Sequence, residues 1–205
     1  MGESMEKFKK IIGILLIVIG VSLIASVGYK KYVTTKKNNQ LIEEFRESIN
    51  EPQVEDESDD YVEEQEDKID IDEINAMAIM EIPSIDLMQG VVEGIQDSVI
   101  KYYLGHFPES ALPGEKGNFA VAGHRVSSYT DAFVNLYKVK PGDDIKITTR
   151  EKVYTYTINE VFVVEPEDVY VLEETDDATI TLVTCTVGGK QRVIVKGNLK
   201  TTEEL

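Results

Sequence analysis

Residues 11–29 contain no charged side chain: nineteen consecutive positions drawn from Ile, Leu, Val, Gly, Ser and Ala, closed by Tyr29. As a helix this stretch rises about 28 Å, close to the ~30 Å hydrocarbon thickness of a bilayer. A cleaved secretory leader has a shorter apolar core, about 7–15 residues, and a better small-residue cleavage site than Ala25-Ser26-Val27. The stretch is therefore read as an uncleaved membrane anchor behind a short tail, residues 1–10. Lys7, Lys9 and Lys10 precede it, and Lys30, Lys31, Lys36 and Lys37 follow it. That near-balance of lysines leaves open which side of the membrane the rest of the chain faces.

Beyond the anchor, residues 30–75 read as an acidic, flexible tether. Leu41, Ile42, Phe45 and Ile49 give residues 38–49 the spacing of a short amphipathic helix. Residues 51–73 then hold thirteen acidic side chains against one lysine, a net of -12 out of -17 for the whole chain. Such a run repels itself and buries no core. The acidity is thus local, and no basic stripe downstream suits a phosphate backbone, which excludes nucleic acid as a partner. No Asp-x-Asp-x-Asp-Gly loop is present, so the carboxylates are read as a solvated surface without calcium.

From residue 76 to 205 the character changes. Short apolar or alternating runs recur between turn signals, at 78–82, 90–94, 118–122, 144–149, 153–158, 161–164, 178–184 and 192–196. Helical patterns interrupt them near 97–104 and 131–137. About eight short strands predict an all-β domain, a closed barrel or sandwich.

The chain has one cysteine, so no internal disulfide can form. A lone thiol in an exported domain suggests either a packed hydrophobe or a reactive group. Gly188-Gly189 between two β-rich runs predicts a two-residue hairpin, which would place Val187 opposite Lys190, Thr186 opposite Gln191 and Cys185 opposite Arg192. Opposed residues share a face about 5 Å apart. A guanidinium there would favour the thiolate and could bind an oxyanion. A thiol nucleophile also needs a proton-transfer partner, usually His. His124 and His106 are the two candidates, and spacing alone does not choose between them.

Thr181-Leu182-Val183-Thr184-Cys185 resembles the Thr-Leu-x-Thr-Cys signature of sortases, and Arg192 follows on the next strand as that family requires. Residues 118–125, Asn-Phe-Ala-Val-Ala-Gly-His-Arg, are similar to the strand that brings the sortase histidine. The lead-in at 111–117 and the short Cys-to-Arg interval resemble class D members. The resemblance covers about residues 78–200.

It implies a closed eight-stranded sortase-like barrel with short helices, and a catalytic trio of His124, Cys185 and Arg192. His106 matches no catalytic position. It also implies a cysteine transpeptidase anchored in a Gram-positive cell membrane with its catalytic domain outside. Such an enzyme cuts a Leu-Pro-x-Thr-Gly-like sorting signal between Thr and Gly. It holds the surface protein as a thioester and passes it to an amine of a cell-wall precursor. A pilin lysine as acceptor is the alternative, disfavoured because no Asp-Pro-aromatic lid segment precedes the barrel. Hydrolysis on the same scaffold, and a non-enzymatic tethered module, are the other readings. No cofactor is expected. The acidic loop of Glu165, Glu167, Asp168, Glu173 and Glu174 resembles a region where some class A sortases bind calcium, but no required metal is expected.

Overall fold

Alternation decides which residues face the core. Along residues 178–185 the side chains of Ile180 and Leu182 are fully buried, and along 117–122 those of Phe119 and Val121. Successive strand residues point to opposite faces, so these positions line one interior while their neighbours line the outside. The computed structural model describes residues 2–50 and 76–205, with side chains from residue 9 to 49 in the first segment.

Eight strands close a barrel: β1 (Ala78–Ile82), β2 (Leu87–Glu93), β3 (Leu104–His106), β4 (Gly117–Ala122), β5 (Asp144–Thr148), β6 (Lys152–Val164), β7 (Ala178–Cys185) and β8 (Arg192–Glu204). Their order around the ring is β1-β2-β3-β4-β7-β8-β6-β5. The β2–β3 and β4–β7 pairs are parallel and the rest antiparallel. Phe119, Leu104, Tyr156, Ile147, Leu182 and Phe133 belong to the interior cluster.

The strand count matches expectation through two compensating differences. The runs expected at 153–158 and 161–164 are one strand, β6, whose register against β8 shifts between Ile158 and Glu160. A bulge there inserts a residue and breaks the alternation that marks a single strand. β3 was not expected, because three residues give no period to detect. The helix expected at 97–104 is only α2 (Asp97–Ile100), and residues 131–137 form turns ending in a short 3-10 turn, Leu136–Lys138.

The N-terminal helix α1 runs unbroken from Gly2 to Asn50, so the amphipathic helix expected at 38–49 is the end of one helix that continues from the apolar stretch. Its last turns dock on the barrel. Leu41, Ile42 and Phe45 are buried against Ile79, Val92, Val99 and Tyr103. Each such side chain contributes about 1.5–3 kcal/mol. Asn38 fixes the register of this packing: its Oδ1 accepts from Gly90 N–H at 3.0 Å and its Nδ2 donates to Met88 O at 3.4 Å. Gly90 lets Leu41 pack close, since a Cβ there would lie 2.6 Å from Leu41 Cδ2 and the leucine would have to shift. The acidic run at 51–73 lies outside the described residues.

Candidate active site

β7 and β8 form a hairpin whose register sets Cys185 opposite Arg192, as the sequence predicts. The connection differs from the two-residue loop expected. Gly189 N–H donates to Thr186 O at 3.0 Å, and Thr186 N–H donates to Gln191 O at 2.9 Å. The turn therefore spans residues 186–189. Gly188 and Gly189 have φ of 84° and 72°, a left-handed backbone that glycine adopts without penalty. The Thr186 side chain adds a second tie, accepting from Gln191 N–H at 3.1 Å. These bonds keep the short hairpin in register and hold the pair of interest together.

Cys185 points outward. It shares parity with Thr181 and Val183, whereas Ile180 and Leu182 face the core. On β8, Arg192 shares parity with Ile194, which packs with Val164 and Val171 on the outside of the barrel. Arg192 Nη1 donates to Gly189 O at 3.2 Å and to Gln191 O at 3.3 Å, which holds the guanidinium at the base of the hairpin.

His124 reaches the same place through a parallel pairing. β4 and β7 run side by side from Gly117↔Ala178 to Ala122↔Val183. Continuing that register two residues sets His124 beside Cys185. Two bonds extend the ladder past its last pair. Gly123 N–H donates to Val183 O at 3.1 Å, and the inward-facing Thr184 hydroxyl donates to Gly123 O at 2.8 Å. Gly123 leaves no room for a side chain, since a Cβ would lie 2.5 Å from Leu104 Cδ2 and 2.7 Å from Phe133 Cδ2. His124 O accepts from Phe133 N–H at 3.0 Å, and Phe133 is fully buried. The loop after His124 is thereby closed at its base.

The register thus sets Cys185 opposite Arg192 and leads the chain at His124 toward the same end of the β4–β7–β8 face, and all three residues are half-buried. His106 does not join them. It is 1% exposed, with Nδ1 2.7 Å from Glu93 Oε2 and Nε2 within 3.2 Å of Ala111 O and 2.9 Å of Ser110 Oγ. A ring bonded on both nitrogens ties β2, β3 and the following loop together and has no lone pair to spare for chemistry.

Beside the trio lies a cleft of about 520 Å³ lined by Arg125, Tyr137, Thr186, Val187, Lys190, Gln191 and Val193. Below it, the acidic β6–β7 loop is committed to structure: Asp168 Oδ2 accepts from Glu165 N–H at 2.9 Å, and Glu165 Oε1 accepts from Gln191 Nε2 at 2.7 Å. Among the described residues no three His, Cys, Asp or Glu side chains converge as metal ligands. Sequence reasoning missed Thr184 and Gly123, which join the two strands. The Thr before Cys185 was visible only as part of a motif, and its inward direction follows from the barrel.

An outward thiol opposite an arginine in the hairpin register, next to a parallel strand that leads into a histidine, on a closed mixed barrel, fits a cysteine transpeptidase scaffold. The Sortase domain pattern matches residues 80–200, and the chain belongs to the sortase family. Sortase A of Streptococcus agalactiae is 34% identical over 129 residues, 60% of this chain and 52% of that protein. The chain therefore spans about half the length of that relative. Sortase A of Listeria monocytogenes is 29% identical over 96% of this chain and 94% of its own length. The solved Sortase D5 transpeptidase of Clostridium perfringens superposes with a TM-score of 0.66 at 38% identity, covering 81% of this chain and 99% of that one. That similarity agrees with the class D features of the sequence. The long N-terminal helix, whose most apolar 18-residue stretch has a mean hydropathy of 2.8, fits a membrane-anchored member of the family.

Proposed function

We propose that Cys185 is the nucleophile, His124 the proton-transfer residue and Arg192 the oxyanion stabiliser of a sortase reaction. The substrate is a surface protein bearing a Leu-Pro-x-Thr-Gly-like signal. The acceptor is an amine of a cell-wall precursor. The observation that carries the reading is the register: Cys185↔Arg192 across the hairpin, with His124 two residues beyond Ala122↔Val183 on the adjacent strand.

The steps follow from these positions. The thiolate of Cys185 attacks the Thr carbonyl carbon, and the C=O electron pair moves to oxygen. Arg192 turns from the hairpin carbonyls to meet that oxyanion, a donor placed where charge develops. The C–N bond to Gly breaks, and imidazolium His124 delivers a proton to the departing amine. The Thr carbonyl is left as a thioester on Cys185. In the second half the acceptor amine attacks this carbonyl and neutral His124 takes its proton. The amide forms as the thiolate leaves. Small or β-branched residues on the outer face beside Cys185, Ala122 and Val183, leave a floor on which an extended peptide can lie. Residues 11–29 hold the enzyme at the membrane, with the domain outside where surface proteins and wall precursors meet.

The test uses the full chain in detergent, as wild type and Cys185→Ala, with a quenched Leu-Pro-x-Thr-Gly-type peptide and products read by mass spectrometry. Wild type is expected to cleave after Thr and to give a ligated product when an amine is added. Loss of the nucleophile is expected to lower cleavage at least about a thousandfold. Cleavage that persists in the Cys185→Ala chain would sink the assignment, and cleavage with no ligated product would favour hydrolysis.

A further inference from the structure

The end of the apolar span and one loop of the barrel meet at the same height along α1. Exposed apolar side chains follow α1 from Ile11 to Val27, and Tyr29 is 69% exposed. Lys30 and Lys31 come next. Lys31 Nζ lies 2.6 Å from Asp131 Oδ2, and Lys30 Nζ lies 5.0 Å from the centre of the Tyr129 ring. A rise of about 1.5 Å per residue puts both lysines within about 3 Å of Tyr29 along the axis. A headgroup layer is about 5–7 Å deep on each side of a bilayer. The loop that starts at His124 therefore touches α1 within that layer when residues 11–29 span the membrane.

A second element arrives at the same corner. Lys101, just after α2, places Nζ 4.2 Å from the centre of Tyr129 and 5.4 Å from that of Tyr102. Lys37 of α1 lies 5.7 Å from the Tyr102 ring, and the two tyrosines pack edge to face at 5.7 Å. Lysines from two parts of the fold converge on one pair of rings. Among the described residues, Asp131 pairs with Lys31. Positive charges gathered at one corner attract an anionic surface laid against them. Tyr and Lys are also the side chains that anchor proteins at a membrane–water interface.

We propose that this corner, formed by Lys30, Lys101 and the Tyr129 loop, docks on anionic phospholipid headgroups of the leaflet from which α1 emerges. The proposal rests on the reading of residues 11–29 as a membrane anchor. A soluble anion would not explain why the cluster sits at the end of the span; a lipid phosphate does. The contact fixes the tilt of the barrel on its helix and presses on the loop whose first residue is His124.

The chain contains no tryptophan, so Tyr129→Trp creates a single reporter that keeps an aromatic ring under Lys30 and Lys101. Tyr170→Trp is the control. Tyr170 lies in the 3-10 turn Val169–Leu172, which packs on Ile194 of β8, across the ring from β2 and α1. Each full chain is placed in nanodiscs of phosphatidylcholine alone or half phosphatidylglycerol, with a headgroup-nitroxide lipid as quencher. In anionic discs the reporter at 129 is expected to lose more than about half its emission and the reporter at 170 almost none. Lys30→Glu with Lys101→Glu is expected to weaken the contact at least about tenfold and return quenching at 129 to its level in phosphatidylcholine discs. Equal quenching at 129 in the two lipids, or quenching no greater than at 170, overturns the proposal while the anchor stands. A chain that fails to enter nanodiscs overturns the anchor and the proposal with it.

Discussion

Replacing Thr184 by Val tests whether one buried hydroxyl joins the nucleophile strand to the histidine. Thr184 is 3% exposed and its Oγ1 donates to Gly123 O at 2.8 Å. Valine keeps the branched shape but loses the donor, so Gly123 O would be left buried without this bond. An unmade buried bond of this kind costs about 1–3 kcal/mol. At roughly 4 °C per kcal/mol for a domain of this size, the transition temperature should fall by about 4–12 °C. Gly123 lies between Ala122, the last paired residue of β4, and His124, so its release should also loosen the histidine. The cleavage rate at saturating peptide is then expected to drop about tenfold or more, since a small misplacement of a reacting group costs that much. Thr184→Ser restores the hydroxyl and should recover most of the rate. The assay is peptide cleavage in folded enzyme at 25 °C, beside thermal unfolding of the same samples. A valine variant with unchanged rate and unchanged unfolding would refute the reasoning, and so would a serine variant no better than valine.

Two pH dependences follow from named groups. Burial raises the Tyr156 phenol to about 12 from its ordinary value of 10.0, against the opposing pull of the Gly114 N–H that donates to its oxygen at 2.7 Å. Stability from the neutral phenol is thus complete below pH ~10 and lost as pH rises through the folded value. Wild type should shed about 3 kcal/mol over that window that Tyr156→Phe does not, read as urea midpoints between pH 9 and 12; parallel curves would contradict this. Asp144 titrates below its ordinary value, chiefly because the Thr157 hydroxyl donates to it at 2.9 Å, with Lys200 adding to this and burial opposing it. Its contribution is present above the unfolded pKa and disappears as pH falls through the lower folded value. Thr157→Val should therefore be less stable than wild type at pH 7, with the gap narrowing as pH falls below the ordinary value of 3.8 and through the lower folded value, and a gap that does not change with pH would rule the argument out.

The sequence alone determined what local rules can decide. A long uncharged run has one favourable environment, so the apolar helix was legible from composition. Cys185 faces Arg192 because a glycine-bearing turn joins adjacent strands, and antiparallel register is set within a few residues of the turn. The sortase resemblance chose His124 over His106, since no spacing rule bridges either one to Cys185.

Tertiary structure decided the rest. A parallel partner can be named only when the barrel closes and the interior chooses a face for each strand. That choice sent Thr184 inward to Gly123 and Cys185 outward. It also gave His106 a filled set of partners, which spacing alone could not foresee. β3 was invisible because three residues have no period, and β6 was split because its bulge hides one. Residues 38–49 read as an amphipathic helix from the spacing of Leu41, Ile42, Phe45 and Ile49. The barrel face against which that stripe is buried, formed by Ile79, Val92, Val99 and Tyr103, no local pattern could supply.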